Sequence, residues 1–514
     1  MRVSSAYEHA LQSVYYDIGN RGICVDTVRL EEGVKYIDAQ IARELAIASR
    51  QWNCPVFIGA ANAPSESEED ESEAEEDGED GEADSEACEA AGAVNINATR
   101  GKYALLAKLK ELGYEIPKTT EKNSVTGSYE TKQGTSELTI RRMLSNDQFR
   151  YPGGDSALRA LLQVRALNTL KTRYFNAYLY RRNGQAFFLS NYNVAGTNTG
   201  RRSSRKHSFG YGNNAQNFPG HSKVAYIFRR CLTARPGNIL LFVDQIQAED
   251  WPVSALASNT QALAELRSGV DRHSKLASVI FYPKVIPPKG SANWVAALHE
   301  QDRYIGKKAR HASNYGMDAP RFADVLAEEA NIGMSIGACK DILDKVEAYD
   351  PSVKGVFHKY VQETLSKSRM LVTPEPFQRE RQFISIRPND TNSQLFKEAY
   401  AFIPQSTVGD NTGFAVLDMA NRGCADSIVQ EGHDSLVQDV PDTVESIYKT
   451  LLHTIKAFTR TIRYHNGIET EIPIEAELGY NFDERTKIKE FSLAGVKEAR
   501  EKLAEVADGK AYQT

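Results

Sequence analysis

Residues Arg303 to Met317 read RYIGKKARHASNYGM, and in this run Arg303, Lys307, His311 and Tyr315 recur every four positions. No Pro interrupts it. The spacing predicts a helix along which the four side chains follow one face, drifting about 40° per step. Cations four residues apart repel by roughly a few tenths of a kcal/mol per pair. Either the face is simply solvated, or it is built for an absent anion of several charges, such as a triphosphate.

Two strand signals flank this helix. Asn238 to Asp244 (NILLFVD) is a short apolar run after Pro-Gly, and Asp426 to Val440 (DSIVQEGHDSLVQDV) reads as two strands joined by a tight turn at Gly432-His433-Asp434. Each delivers an aspartate to a strand end or turn, and charge-rich helical sequence from Gln261 to Lys367 separates them. Nucleotidyl transfer uses divalent ions held about 3.5–4 Å apart by carboxylates, and hard oxygen ligands suit magnesium. Asp244 and Asp434 are the candidate pair, with a backbone carbonyl near Gln245 as a further ligand. A lone Asp in such a place is more often a turn former; a triphosphate would need both the pair and the basic helix. The GKK at Gly306 to Lys308 lacks the hydroxyl residue and preceding glycine of a P-loop.

The 514 residues, 41% hydrophobic and 25% charged, are typical of a globular chain of several subdomains. No apolar run is long enough for a membrane helix, no secretory leader is evident, and no membrane partner is expected. The six cysteines contain no C-x-x-C pair, which argues against zinc ribbons and a disulfide framework and for a reducing, cytoplasmic setting. Glu66 to Glu89 holds 15 acidic residues and no Lys or Arg, so the net charge of −6 conceals a remainder with 62 basic and 53 acidic residues, or +9. This acidic block, about 62–92, is expected to be disordered. A solubilising loop or a competitor for the basic surface would both explain it.

Along the rest of the chain, Ala6 to Trp52 reads as helix broken at NRGICVD, TRGKYALLAKLKELGY as a second helix, and residues 155 to 181 as one long helix. Asn191 to Gly220, rich in Gly and Asn, reads as irregular. Arg201 to Lys206 (RRSSRK) and Phe228 to Arg230 (FRR) suit nucleic-acid phosphates, or are ordinary surface charge.

Asp244 to Trp251, DQIQAEDW, resembles motif A of family A DNA polymerases, the bacterial DNA polymerase I family. RYIGKKARHASNYG resembles their fingers-helix motif in a form seen in phage members, and GHDSLV resembles the His-Asp-Glu hairpin of motif C. TNTGRRSS with NNAQNFP is similar to the template-primer binding segment, DRHSKLAS to the Asp-Ile-His segment, and FIPQSTVGD to the Pro-x-Gln-Gly-Thr stretch. YYDIGNRGICVD resembles the segment that enters the thumb. The matches run in the family's order from about Tyr151 onward.

The resemblance implies an α/β (α+β) right-hand polymerase fold with an antiparallel palm sheet, helical fingers and helical thumb. Residues 1–185 would form the thumb with its palm entry, 186–260 the first part of the palm, 261–383 the fingers and 384–514 the second part of the palm. Asp244, Asp434 and the carbonyl of Gln245 would hold two Mg2+ ions. Arg303, Lys307 and His273 would contact the triphosphate, with Lys307 protonating the leaving pyrophosphate. His311, Tyr315, Glu249 and Gln247 would line the nucleotide site, Glu249 excluding a 2′-hydroxyl. Arg201 and Gln405 would probe the minor groove, Gln216, Asn217, Arg229 and Arg230 would contact DNA, and His433 would support the primer end.

The implied activity is template-directed addition of deoxynucleotides to a primer, without a proofreading exonuclease in this chain. It suits replication of phage DNA in a bacterial cytoplasm, with a separate exonuclease or processivity subunit as a further partner. Departures from the pattern keep a weakened or inactive junction-binding relative in play. Ser435 stands where an acidic residue is usual, Gln245-Ile246 replaces Tyr-Ser, Trp251 replaces Arg, and Glu431 with Gly432 fills the space of one residue before His433. A single-subunit RNA polymerase is a further alternative, against which Glu249 argues.

Overall fold

The computed structural model describes residues 3–58, 93–97, 101–122, 129–145, 154–220, 222–330 and 332–510. The acidic block lies outside these. Contacts divide the chain into two units, one of residues 1–33, 173–317 and 342–514, the other of 34–172 and 318–341.

The first unit is built on a five-stranded antiparallel sheet. Its strands are β1 (Asn238–Gln245), β2 (Ile428–Gly432), β3 (Ser435–Pro441), β4 (Ile474–Gly479) and β5 (Arg485–Lys487), in the order β2-β3-β1-β4-β5. NILLFVD is thus the central strand, and its two-residue period sorts its side chains. Ile239, Leu241 and Val243 are buried in the main core, while Phe242 and Asp244 project from the opposite face. The core face is covered by helices α4 (Gln394–Asn421), α5 (Val444–Phe458) and α6 (Leu493–Lys510), whose residues Phe402, Val408, Ile447, Leu451, Val496 and Leu503 belong to the same cluster. Helices α1 (Ser5–Arg21), α2 (Arg272–Ile280) and α3 (Ala296–Asn314) complete the elements that concern the site. A four-stranded antiparallel sheet includes Ile23–Val25 at the NRGICVD break. None of the helices among the described residues is long and apolar enough to cross a membrane.

The expected RYIGKKARHASNYGM helix is the second half of α3, which ends at Asn314 with Tyr315 as its cap. Gly306 explains the middle of that motif. A Cβ there would stand 2.6 Å from the His273 carbonyl oxygen and 3.0 Å from Ala277, so only glycine lets α3 lie this close to α2.

The second unit contains helices Lys102–Glu111, Glu137–Ser145, Ser156–Leu170 and Ala319–Ala330. Its Arg165 donates to the carbonyls of Ile96 (2.8 Å) and Thr135, and Arg142 pairs with Asp324 at 2.8 Å. The long helix read over 155–181 is shorter than expected. Regular helix stops at Leu170, a wider turn occupies Lys171–Phe175, and Tyr180–Arg182 is a strand. Aromatic packing of Tyr174 and Phe175 on Phe228 draws the chain out of the helix there.

Candidate active site

Asp244 occupies the penultimate position of β1, and Asp434 the second position of the two-residue turn joining β2 to β3. The register aligns Asp244 with Ser435 on β3. The Gln245 amide donates to the Asp434 carbonyl at 3.1 Å, which fastens the turn to the end of β1. Thr412 on α4 donates to the His433 carbonyl (3.0 Å) and accepts from the Gln245 side chain (2.9 Å). His433 takes φ of 57°, uncommon for a residue with a Cβ and held here by those bonds. The extra residue of motif C leaves this turn undisturbed. The expected place for it was between Gln430 and His433, but the pairing slips between Ile428 and Gln430, after which Gln430, Glu431 and Gly432 oppose Val437, Leu436 and Ser435 in regular order. The one irregularity in this pair lies upstream of the turn, between Ile428 and Gln430.

The two carboxylates differ electrostatically from their neighbours. Asp350 is 2.8 Å from Arg310, Asp410 is 2.8 Å from Arg379, and Asp250 is 3.8 Å from Arg272. Among the described residues, no side chain hydrogen-bonds or ion-pairs with Asp244 or Asp434. Asp244 reaches solvent, yet the protein crowded around it, then Asp434 and then Glu475, raise its pKa well above the ordinary range. Crowding raises that of Asp434 too, against the pull of Arg201. Lys307, on the exposed side of α3, acts on both carboxylates through space. Among the described residues no three His, Cys, Asp or Glu side chains close into a metal site. Two uncompensated carboxylates with a backbone carbonyl are the sparse oxygen set that magnesium shares with substrate phosphates, so these residues fit that ion. Gln245 can offer only its backbone, since its side chain is buried against Thr412 and Asn411.

Glu249 forms a second centre. Its carboxylate accepts from Arg201 on one oxygen and from the Tyr315 hydroxyl on the other, with His311 3.6 Å away. Burial would raise its pKa, but Arg201, then His311 and Tyr315, outweigh burial and hold it below the usual value. His311 stands edge-on to the Tyr315 ring at 4.7 Å.

Arg303 is held by Asp271, the N-cap of α2, at 2.8 Å and 3.3 Å. The Asp271 pKa falls to about 2 because Arg303 and Ser274 overcome its burial. His273, in the first turn of α2, is driven down to about 4, chiefly by burial, and so is neutral at pH 7. The structure brings Asp244, Asp434 and Lys307 together, Glu249 with Arg201, His311 and Tyr315, and Arg303 beside His273.

The remaining expected contacts fare differently. The Gln247 side chain braces the loop before α2, donating to the Val270 carbonyl (2.9 Å) and accepting from the Arg272 amide (3.1 Å). Gln216 donates to Glu431 (3.0 Å) and Arg229 to the Phe482 carbonyl (3.1 Å). Arg230 pairs with Asp483 at 2.7 Å. The Asn217 carbonyl accepts from Tyr174 at 2.6 Å, its residue otherwise exposed. Gln405 is half-buried on α4. Trp251 is buried, its indole donating to the Ile246 carbonyl (3.1 Å). Sequence reasoning missed Asp271, the buried Glu431 and Glu475. The alternation in IEAELG, Ile474 to Gly479, was the available signal for the last.

A sequence profile described as DNA polymerase family A matches residues 66–484. The chain is 23% identical over 383 residues to the thermostable DNA polymerase I of Thermus filiformis, a match covering 73% of this chain and 40% of that protein. It therefore spans well under half the length of that curated relative. It is also similar to the solved POL domain of Pol1 from M. smegmatis in complex with DNA primer-template and dNTP. There the TM-score is 0.65 and the identity 17%, over 93% of this chain and 70% of the other. The expected mixed fold with an antiparallel sheet is therefore found, in the same architecture as that domain. Because the profile takes in well over half of the chain, and the motif residues fall on the strand, turn and helix described above, the chain belongs to DNA polymerase family A.

Proposed function

We propose that this chain is a template-directed DNA polymerase, which joins a primer 3′-hydroxyl to the α-phosphate of a deoxynucleoside triphosphate and releases pyrophosphate. The observation that carries this reading is the pair Asp244 and Asp434, locked side by side without a cation partner and faced by Lys307. Two Mg2+ ions held by these carboxylates and the Gln245 carbonyl would neutralise the reacting phosphate and the developing charge on the oxygens. Lys307 supplies a proton from Nζ to the pyrophosphate, and Arg303 and neutral His273 hold the phosphates along α3 and α2. Glu249, fixed by Arg201 and Tyr315, crowds the sugar and disfavours a 2′-hydroxyl. His311 and Tyr315 border the base, His433 supports the primer end, and Arg201 and Gln405 sense the minor groove. Residues 1–185 serve as thumb and palm entry, 186–260 and 384–514 as palm, and 261–383 as fingers. The phage-like form of the α3 motif supports a viral enzyme working in a bacterial cytoplasm.

Ser435 and Trp251 favour a second reading, a protein that clamps primer-template junctions without extending them. Primer extension with Mg2+ and deoxynucleotides, run beside Asp434→Asn, separates the two. Extension by the wild type alone supports the polymerase. Equal junction binding with no extension by either protein supports the clamp.

A further inference from the structure

Asp244 has a register partner on each side, Ser435 on β3 and Glu475 on β4. Residues directly opposite on neighbouring antiparallel strands point to the same face, about 4.5–5.5 Å apart at Cα. Ser435, Asp244 and Glu475 accordingly line one cavity of about 260 Å³ on the open side of the sheet. Position 435 is where the motif C pattern places an acid and this chain has none. The negative charge absent from one side of Asp244 is present on the other.

We propose that Glu475, which in this structure is turned to Lys487 and does not close with Asp244 and Asp434 into a site, swings toward Asp244 when a divalent ion binds and becomes the third carboxylate of the cation site, standing in for the acid that Ser435 replaces. The inference rests on the polymerase reading above. Glu475 is paired with Lys487 at 2.5 Å, but Lys487 is 55% exposed and Glu475 37%. Such a pair is weak and screened by salt, so the carboxylate is free to turn toward a doubly charged ion. A surface pair of purely structural purpose would need no place opposite the catalytic aspartate.

The test is Mn2+ binding, followed by the paramagnetic resonance signal of the free ion, with protein bound to a dideoxy-terminated primer-template and the matching nucleotide. Glu475→Gln is expected to weaken Mn2+ by about tenfold, and adding Ser435→Glu to that variant to restore it. Lys487→Met should bind the ion as tightly as wild type or tighter. Unchanged Mn2+ affinity in Glu475→Gln overturns the proposal, as does a loss that Ser435→Glu leaves in place. An equal loss in Lys487→Met would make the pair structural and overturn it too. Asp434→Asn serves as the control for the underlying reading. If that variant binds Mn2+ like wild type, the cation site itself is wrong; if it loses the ion while Glu475→Gln keeps it, only the role of Glu475 is wrong.

Discussion

The backbone amide of Gln245 donates to the carbonyl of Asp434 at 3.1 Å, 189 positions further along the chain. This bond joins the end of the central strand to the hairpin turn and keeps the Asp244 and Asp434 carboxylates adjacent at a cost in mutual repulsion. A divalent cation would relieve that repulsion, and the dependence of both stability and activity on these carboxylates follows.

Asp244→Asn and Asp434→Asn should each lower primer extension by about a thousandfold, the loss of several kcal/mol of charge stabilisation. Without divalent ions, Asp244→Asn should melt at a higher temperature than wild type at pH 7. The folded-state pKa of Asp244 is raised, so ionisation opposes folding as pH rises through the ordinary aspartate range. Added Mg2+ should raise the wild-type melting temperature and leave the variant's nearly unchanged. Thermal melts with and without Mg2+ check both.

Glu249 lies beneath two donors with its side chain 22% exposed, so Glu249→Gln should cost about 1–3 kcal/mol in chemical denaturation at pH 7. The folded-state pKa of Glu249 is lowered from 4.5. Its contribution is therefore complete well above that value and disappears as pH falls through the lowered one, so the wild-type and variant curves should converge in acid. Glu249→Ala should also reduce discrimination against ribonucleotides by about tenfold or more, measured as the ratio of kcat/KM values.

Gly306→Ala forces a methyl group against the His273 carbonyl. Overpacking of this kind costs about 1–3 kcal/mol. Moving α3 away from α2 should shift Arg303 and Lys307 together, raising KM for deoxynucleotides while primer-template affinity changes little. Steady-state kinetics beside a DNA-binding titration would show whether the two effects separate.

Arg205 and Lys206 are exposed, as befits contacts to nucleic-acid phosphates. Primer-template affinity should fall by about a hundredfold between roughly 50 and 200 mM salt. The double variant Arg205→Ala, Lys206→Ala should flatten the slope of log Kd against log salt, measured by fluorescence anisotropy. An unchanged slope would remove these residues from the interface.

Local chemistry made much of this protein legible in the sequence. A short apolar run after Pro-Gly marked β1, an uninterrupted four-residue recurrence marked α3, and a Gly-His-Asp turn marked the hairpin, because each depends on neighbours in the chain. The aspartates and the basic helix face could be named from those patterns alone, whereas Glu249 was named through the resemblance to family A polymerases. Only tertiary structure decided what each side chain meets. Strand register put Glu475 beside Asp244 and set Glu431 and Gly432 in regular pairing opposite Leu436 and Ser435. Helix packing gave Arg303 to Asp271 and tied Gln247 to the loop before α2. Aromatic packing ended the helix after Leu170, short of the 181 its periodicity suggested. Pairing across a sheet or between helices joins residues far apart in the chain, and local propensity carries no record of which partner arrives.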